Sequence, residues 1–174
     1  MKNTLILFSA LTLSVLFTSC GNKETKQDIQ APAGMFALDL SKYGKQFSVF
    51  VPDTTSAKLE VTEQSWGALE VKVGKNFHIS ITEDPGDMEL RKSDIKSNDI
   101  NIFKSFVVDE PLSIMWESLI TKPEFHFYSI QKIGANTYVF EDVIPADGEP
   151  FSKDAIQKMF ESSKTIIEKK KPDA

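Results

Sequence analysis

The chain has one cysteine, two histidines and no concentrated basic face, and each scarcity closes off a class of function. A single thiol makes no internal disulfide, so no oxidative framework holds the fold. The longest basic run is Lys169-Lys170-Lys171, and acidic residues outnumber basic ones 25 to 20 for a formal net charge of −5. Nucleic-acid binding wants a basic stripe interleaved with aromatics, and that class is excluded. There is no Gly-x-Ser-x-Gly elbow, no phosphate-cradling glycine loop, and no His-x-x-x-His or Cys-x-x-Cys pair. The motifs for a serine nucleophile, a nucleotide and zinc are therefore missing, and no cofactor is indicated. Long apolar runs are scarce too. The longest, residues 4–17, has about fourteen residues, and a membrane-spanning helix needs about 20.

That run has its own meaning. Lys2 is the only charge before Cys20, and the small residues Thr18 and Ser19 close the apolar stretch. A positive start, a short apolar centre and small residues at its end make an export signal. Leu16-Phe17-Thr18-Ser19-Cys20-Gly21 resembles the lipobox of bacterial lipoproteins, with Phe17 in place of the usual aliphatic and Thr18 a less common choice. The resemblance implies that residues 1–19 are a signal peptide removed after export and that Cys20 carries lipid. Two or three acyl chains hold a protein stably where one does so only marginally, so the implied partner is the membrane, through lipid on Cys20. Gly21, with no aspartate there, is similar to the pattern of Gram-negative lipoproteins sent to the outer membrane, on either of its faces. Residues 20–33 are polar and end around Pro32, which suits a flexible tether.

Residues 34–174 are the right size for a single domain that folds without metal or disulfide. Period-two alternation predicts strands at 47–51, 59–62, 69–73 and 77–81, and again at 103–108, 112–119, 125–133 and 138–143. Gly74-Lys75-Asn76 and Gly134-Ala135-Asn136 predict tight hairpins, which join antiparallel strands. Helices are expected at 87–97 and 152–170. In the second, Ser152 serves as N-cap, Ile156, Met159, Phe160, Ser163 and Ile167 share a face, and the lysine run matches the dipole at its end. The fold class is α+β, an antiparallel sheet of about eight strands with two helices. Its order is four strands and a helix, twice over. At a shift of 60 residues Gly74, Asn76, Pro85, Asp87, Glu89 and Asp94 meet identical residues, which suggests two pseudo-repeated halves.

Gly44-Lys45-Gln46-Phe47-Ser48-Val49-Phe50-Val51-Pro52 as an opening strand, and a terminal helix after a hairpin, resemble the Mog1/PsbP-like fold over residues 44–165. The overall run, including Val108-Asp109-Glu110-Pro111 and Glu149-Pro150-Phe151-Ser152, looks like lipoproteins of Bacteroidetes-type bacteria. The fold resemblance implies binding or assembly factors and transfers no site residues.

Two kinds of residue remain for chemistry. His78 and His126 each sit between apolar strand residues, on the sheet face opposite to them, and a hydrolase would need one of them beside a carboxylate and a serine. Glu83-Asp84-Pro85-Gly86-Asp87 reads as an acidic turn capping the next helix, and Glu141-Asp142 and Asp147-Gly148-Glu149 read likewise. Trp66, Trp116, Phe125, Phe127 and Tyr128 are core residues for the most part, with a contact surface among them, and Trp116, His126 and Trp66 are the first candidates for it. Three functions fit. The leading one is a non-enzymatic binding or assembly module that contacts an envelope protein through an exposed apolar patch. The second is a domain for a small apolar ligand or lipid, in a cavity between sheet and C-terminal helix lined by Met159, Phe160 and Trp116. The third is a hydrolase.

Overall fold

A computed structural model describes residues 31–145 and 148–169. All eight expected strands form, and two short ones join them. β1 (Met35–Asp39), β2 (Phe47–Pro52), β3 (Leu59–Glu63), β4 (Leu69–Val73) and β5 (Phe77–Glu83) precede helix α1 (Met88–Ser97). β6 (Ile102–Asp109), β7 (Ser113–Leu119), β8 (Pro123–Ile133) and β9 (Asn136–Asp142) precede helix α2 (Lys153–Lys164), and β10 (Ile166–Glu168) follows it. The strands make two antiparallel sheets, one of seven in the order β3-β4-β5-β9-β8-β7-β6 and one of three in the order β1-β2-β10. This is the α+β fold that the alternation predicts. No helix among the described residues is long and apolar enough to cross a membrane.

Alternation decides which side of the large sheet each residue serves. Phe77, Ile79 and Ile81 of β5, Phe127 of β8 and Phe140 of β9 point to one side, where α2 lays down Ile156, Met159 and Phe160 and the small sheet adds Phe47, Val49 and Val51. Ile114, Trp116, Tyr128, Ile130 and Val139 point to the other, where α1 supplies Met88 and Ile95. The order of layers is α1, the large sheet, then α2 beside the small sheet. Burying Ile156, Met159 and Phe160, each at most 3 % exposed, contributes about 1.5–3 kcal/mol apiece.

Both helix starts are chemically capped. Asp87 accepts from the Leu90 N–H at 2.9 Å, so the acidic turn at 83–87 does cap α1, and Gly86 before it has φ 65°. A side chain there would meet Ile130 at 2.8 Å, so only glycine lets the turn lie flat on the sheet. Ser152 accepts from the Ala155 N–H at 3.2 Å and caps α2.

Three expectations are corrected. The second helix stops at Lys164, not 170. Thr165, Ile166 and Ile167 are β-branched, and Ile166–Glu168 pairs with β2 instead of continuing a helix. The lysine run therefore does not sit at the helix end. Lys169 pairs with Asp39, its N–H donates to the Gln46 carbonyl, and residues 170–171 lie outside the described residues. The two halves share order and not geometry, because β2 leaves for the small sheet while its counterpart β6 stays, and α1 and α2 cover opposite faces. A shift of 60 puts Ile79 onto Val139, on opposite sides of the sheet, and Asp94 late in α1 onto Asp154 in the first turn of α2, whereas Gly74 and Gly134 both open hairpin turns, with φ 58° and 60°.

Candidate functional site

α1 covers only part of its face of the large sheet, and the site lies along the uncovered margin. Trp116 and His126 are direct partners across β7 and β8, and their rings lie 5.3 Å apart at 32°. His126 is 8 % exposed. Its Nδ1 lies 2.9 Å from Asp142 Oδ2, and Asp142 Oδ1 accepts from the Phe127 N–H at 2.8 Å. The β8–β9 ladder ends at Tyr128 and Glu141, so the Asp142 side chain takes over one rung of backbone pairing and orients the imidazole with its other oxygen. Burial opposes a charge on His126, but the hydrogen bond and charge of Asp142, with Glu124 behind it, outweigh that and hold the ring's pKa above 6.5.

On the other ring edge the Asn101 amide Nδ2 lies 3.4 Å from Nε2, as donor to the neutral imidazole. The Asn101 Oδ1 is buried with no partner. From α1, Arg91 donates through Nη2 to Glu141 Oε2 at 2.9 Å and lies 5.1 Å above the Tyr128 ring and 5.6 Å above Trp116. Its Nε is buried and also unpartnered. Burial pushes the Glu141 carboxyl above its usual range, with Arg91 pulling the other way and Asp142 adding to the rise.

These groups surround a cavity of about 170 Å³ bounded by Arg91, Asn98, Asn101, Trp116, His126 and Ile144. Arg91, Trp116, His126 and Ile144 also wall an adjoining open groove of about 440 Å³, which continues to Trp66, Glu70 and Ser80. The three residues singled out from sequence thus meet on one surface: Trp116 and His126 at its floor, and Trp66 at its far wall, 69 % exposed. Ile144, also in its wall, is 68 % exposed. Cys20, the lipid-attachment candidate, lies outside the described residues.

The chain matches no family model and no curated protein.

His78 is on the same face but apart from this cluster. Its Nε2 lies 3.0 Å from Glu70 Oε2, and burial nonetheless lowers its pKa, Glu70 opposing that and Lys72 adding to it. Each histidine therefore has a carboxylate, but among the described residues no serine hydroxyl hydrogen-bonds either ring. Glu141-Asp142 caps no helix: Glu141 binds Arg91 and Asp142 binds His126. Asp147 lies outside the described residues. The cavity expected between sheet and α2 is not lined as anticipated. Met159 and Phe160 are core side chains, Phe160 lies edge-on 6.3 Å from Phe127, and Trp116 points to the opposite face. Arg91, Asn101 and Asp142 escape the sequence reading. Nothing local marks Arg91 or Asn101.

Proposed function

We propose that this chain is a lipid-anchored cell-envelope protein, a non-enzymatic binding or accessory module whose contact surface is the groove beside α1. The observation that carries this reading is the pairing of two well-exposed apolar side chains, Trp66 and Ile144, with a floor of buried aromatics and polar groups between them. Exposed aromatics concentrate binding energy, and apolar walls with a few placed polar groups characterise ligand and partner sites. Binding is favoured over catalysis because both His126 nitrogens are engaged, by Asp142 and Asn101, and among the described residues no serine hydroxyl hydrogen-bonds either histidine ring as a nucleophile would.

Delivery to a membrane follows from the lipobox resemblance at Cys20, and outer-membrane placement from Gly21. Cys20→Ala should move the protein from the membrane fraction to the soluble envelope fraction; persistent membrane association would refute the anchor. For the groove, lipidated protein carrying Trp66→Ala and Ile144→Asp should lose whatever the wild type retains from detergent-solubilised envelope. Unchanged retention by that variant would place the contact surface elsewhere.

A further inference from the structure

We propose that the groove beside α1 takes a basic segment of another envelope protein, with Lys or Arg side chains set next to an apolar one. This rests on the groove being the contact surface, and goes further by naming the chemistry of its partner.

Three hollows meet around Arg91 and share their walls. The groove of about 440 Å³ reaches Trp66 and Ile144, the small cavity adjoins it, and a third hollow of about 580 Å³ lies between Leu90, Asp84 and Tyr128. Glu70, Asp84, Asp87, Asp94, Glu141 and Asp142 line them, against the one guanidinium of Arg91. The chain has 25 acidic and 20 basic residues, so the rest of it holds 19 of each sign, and the formal net charge of −5 belongs to this face. A charged His126 removes one unit and leaves the sign.

Helix α1 sorts its own charges in the same way. Lys92 pairs with Asp109 and Lys96 lies 5.4 Å above the Phe106 ring, both toward β6, and neither lines a hollow. Arg91 is committed to Glu141 and to the Tyr128 and Trp116 rings. The carboxylates keep capacity to accept. That of Asp94 has no hydrogen bond or ion pair among the described residues, and Asp84 and Asp87 each spend one oxygen on a backbone N–H, of Gly86 and Leu90. Lys and Arg bring donors only, together with the opposite charge.

Apolar side chains stand among these carboxylates: Leu90, Trp66 and Ile144 are all well exposed. A bare cation would leave them wet, whereas a segment that alternates basic and apolar side chains covers both, and the Trp66 ring face also attracts a cation. The sign excludes other occupants. An anionic bilayer or a polyanion is repelled, and so is a second copy of the chain docking through the same face.

A library of random capped dodecapeptides is passed over the full lipidated chain held in an uncharged detergent. Retained peptides should be enriched in Lys or Arg next to aliphatic or aromatic residues, and depleted in Asp and Glu. A peptide from that pool should bind more weakly at about 500 mM salt than at about 50 mM, because screening shortens the reach of the carboxylates. Asp84→Asn with Asp94→Asn, checked for an unchanged urea midpoint, should weaken it about two- to fivefold per carboxylate at the lower salt, and Trp66→Ala about tenfold or more. Equal retention of acidic and basic peptides, or binding indifferent to salt and to these substitutions, would overturn the assignment. So would saturable binding of spermidine with no peptide enriched, in favour of a small cation. If groove-dependent retention of an envelope component persists in either case, the contact surface survives with another partner; loss of that retention as well refutes both readings.

Discussion

Asp142 holds a backbone N–H and the His126 ring at once, and removing it has a calculable cost. Its side chain is 5 % exposed, so neither contact is shared with bulk water. One oxygen satisfies the Phe127 N–H where the β8–β9 ladder ends, and the other binds His126 Nδ1. Hydrogen bonds to a charged group are worth about 1.5–3 kcal/mol each, and breaking a buried charged pair by deleting one partner costs about 3–5 kcal/mol. Asp142→Ala should therefore destabilise the fold by about 3–5 kcal/mol, a fall of about 2 M in urea midpoint for a slope near 2 kcal/mol per molar. Asp142→Asn keeps an acceptor for Phe127 and loses only the charge, so it should cost about 1.5–3 kcal/mol. The pH dependence identifies the mechanism. Because His126 is held above 6.5 in the folded state, its contribution is complete below 6.5 and is lost as pH rises through the folded value. The penalty of Asp142→Asn should then be largest near pH 6 and shrink to about 1 kcal/mol or less once the imidazole is neutral. Urea unfolding of wild type and both variants at pH 6 and pH 9 measures this. An Ala variant within 1 kcal/mol of wild type, or an Asn penalty that grows with pH, would refute the reasoning.

Other substitutions probe other parts of the structure. His78 carries the opposite sign: burial holds it below 6.5, so its contribution is present above 6.5 and lost as pH falls through the folded value. His78→Gln should flatten the acid side of the stability curve between pH 7.5 and 5, read as a difference from wild type because the raised carboxyl of Glu141 works in the other direction. Gly86→Ala forces a side chain into left-handed backbone and against Ile130, and should cost about 1–3 kcal/mol in thermal or urea unfolding. Met159→Ala empties a fully buried site where the sulfur also accepts from the His78 N–H, and a loss of about 2–5 kcal/mol is expected, with no change at the groove.

Strand alternation carried the fold a long way, and the residues show where it stopped. Leu69, Val71 and Val73 repeat at period two because one side of β4 is packed and the other is wet, so the strand and its facing are both readable. Met35–Asp39 has no such rhythm. It forms by pairing along β2, a long-range event with no local mark. Ile167 falls on the helical spacing of Ile156 and Met159, and only the partner strand shows that it belongs to β10. The site divides in the same way. Trp116, His126 and Trp66 stand out by residue type. Asp142 was within reach: the hairpin turns through two residues, Gly134 and Ala135, with Ile133 opposite Asn136, and counting back brings Asp142 opposite Phe127. Taking Asn136 into the turn shifts that count by one. Arg91 and Asn101 come from a helix and a strand start whose placement over the sheet is decided by packing of Met88 and Ile95.

The small sheet sits behind the large one, and the chain enters the fold there, at Met35. If Cys20 bears lipid, the leash between it and Met35 reaches at most about 50 Å and is fastened to the body's reverse side. That point of attachment would lie on the α2 side of the large sheet, across it from the hollow beside Trp66, and would leave the hollow clear of the leash.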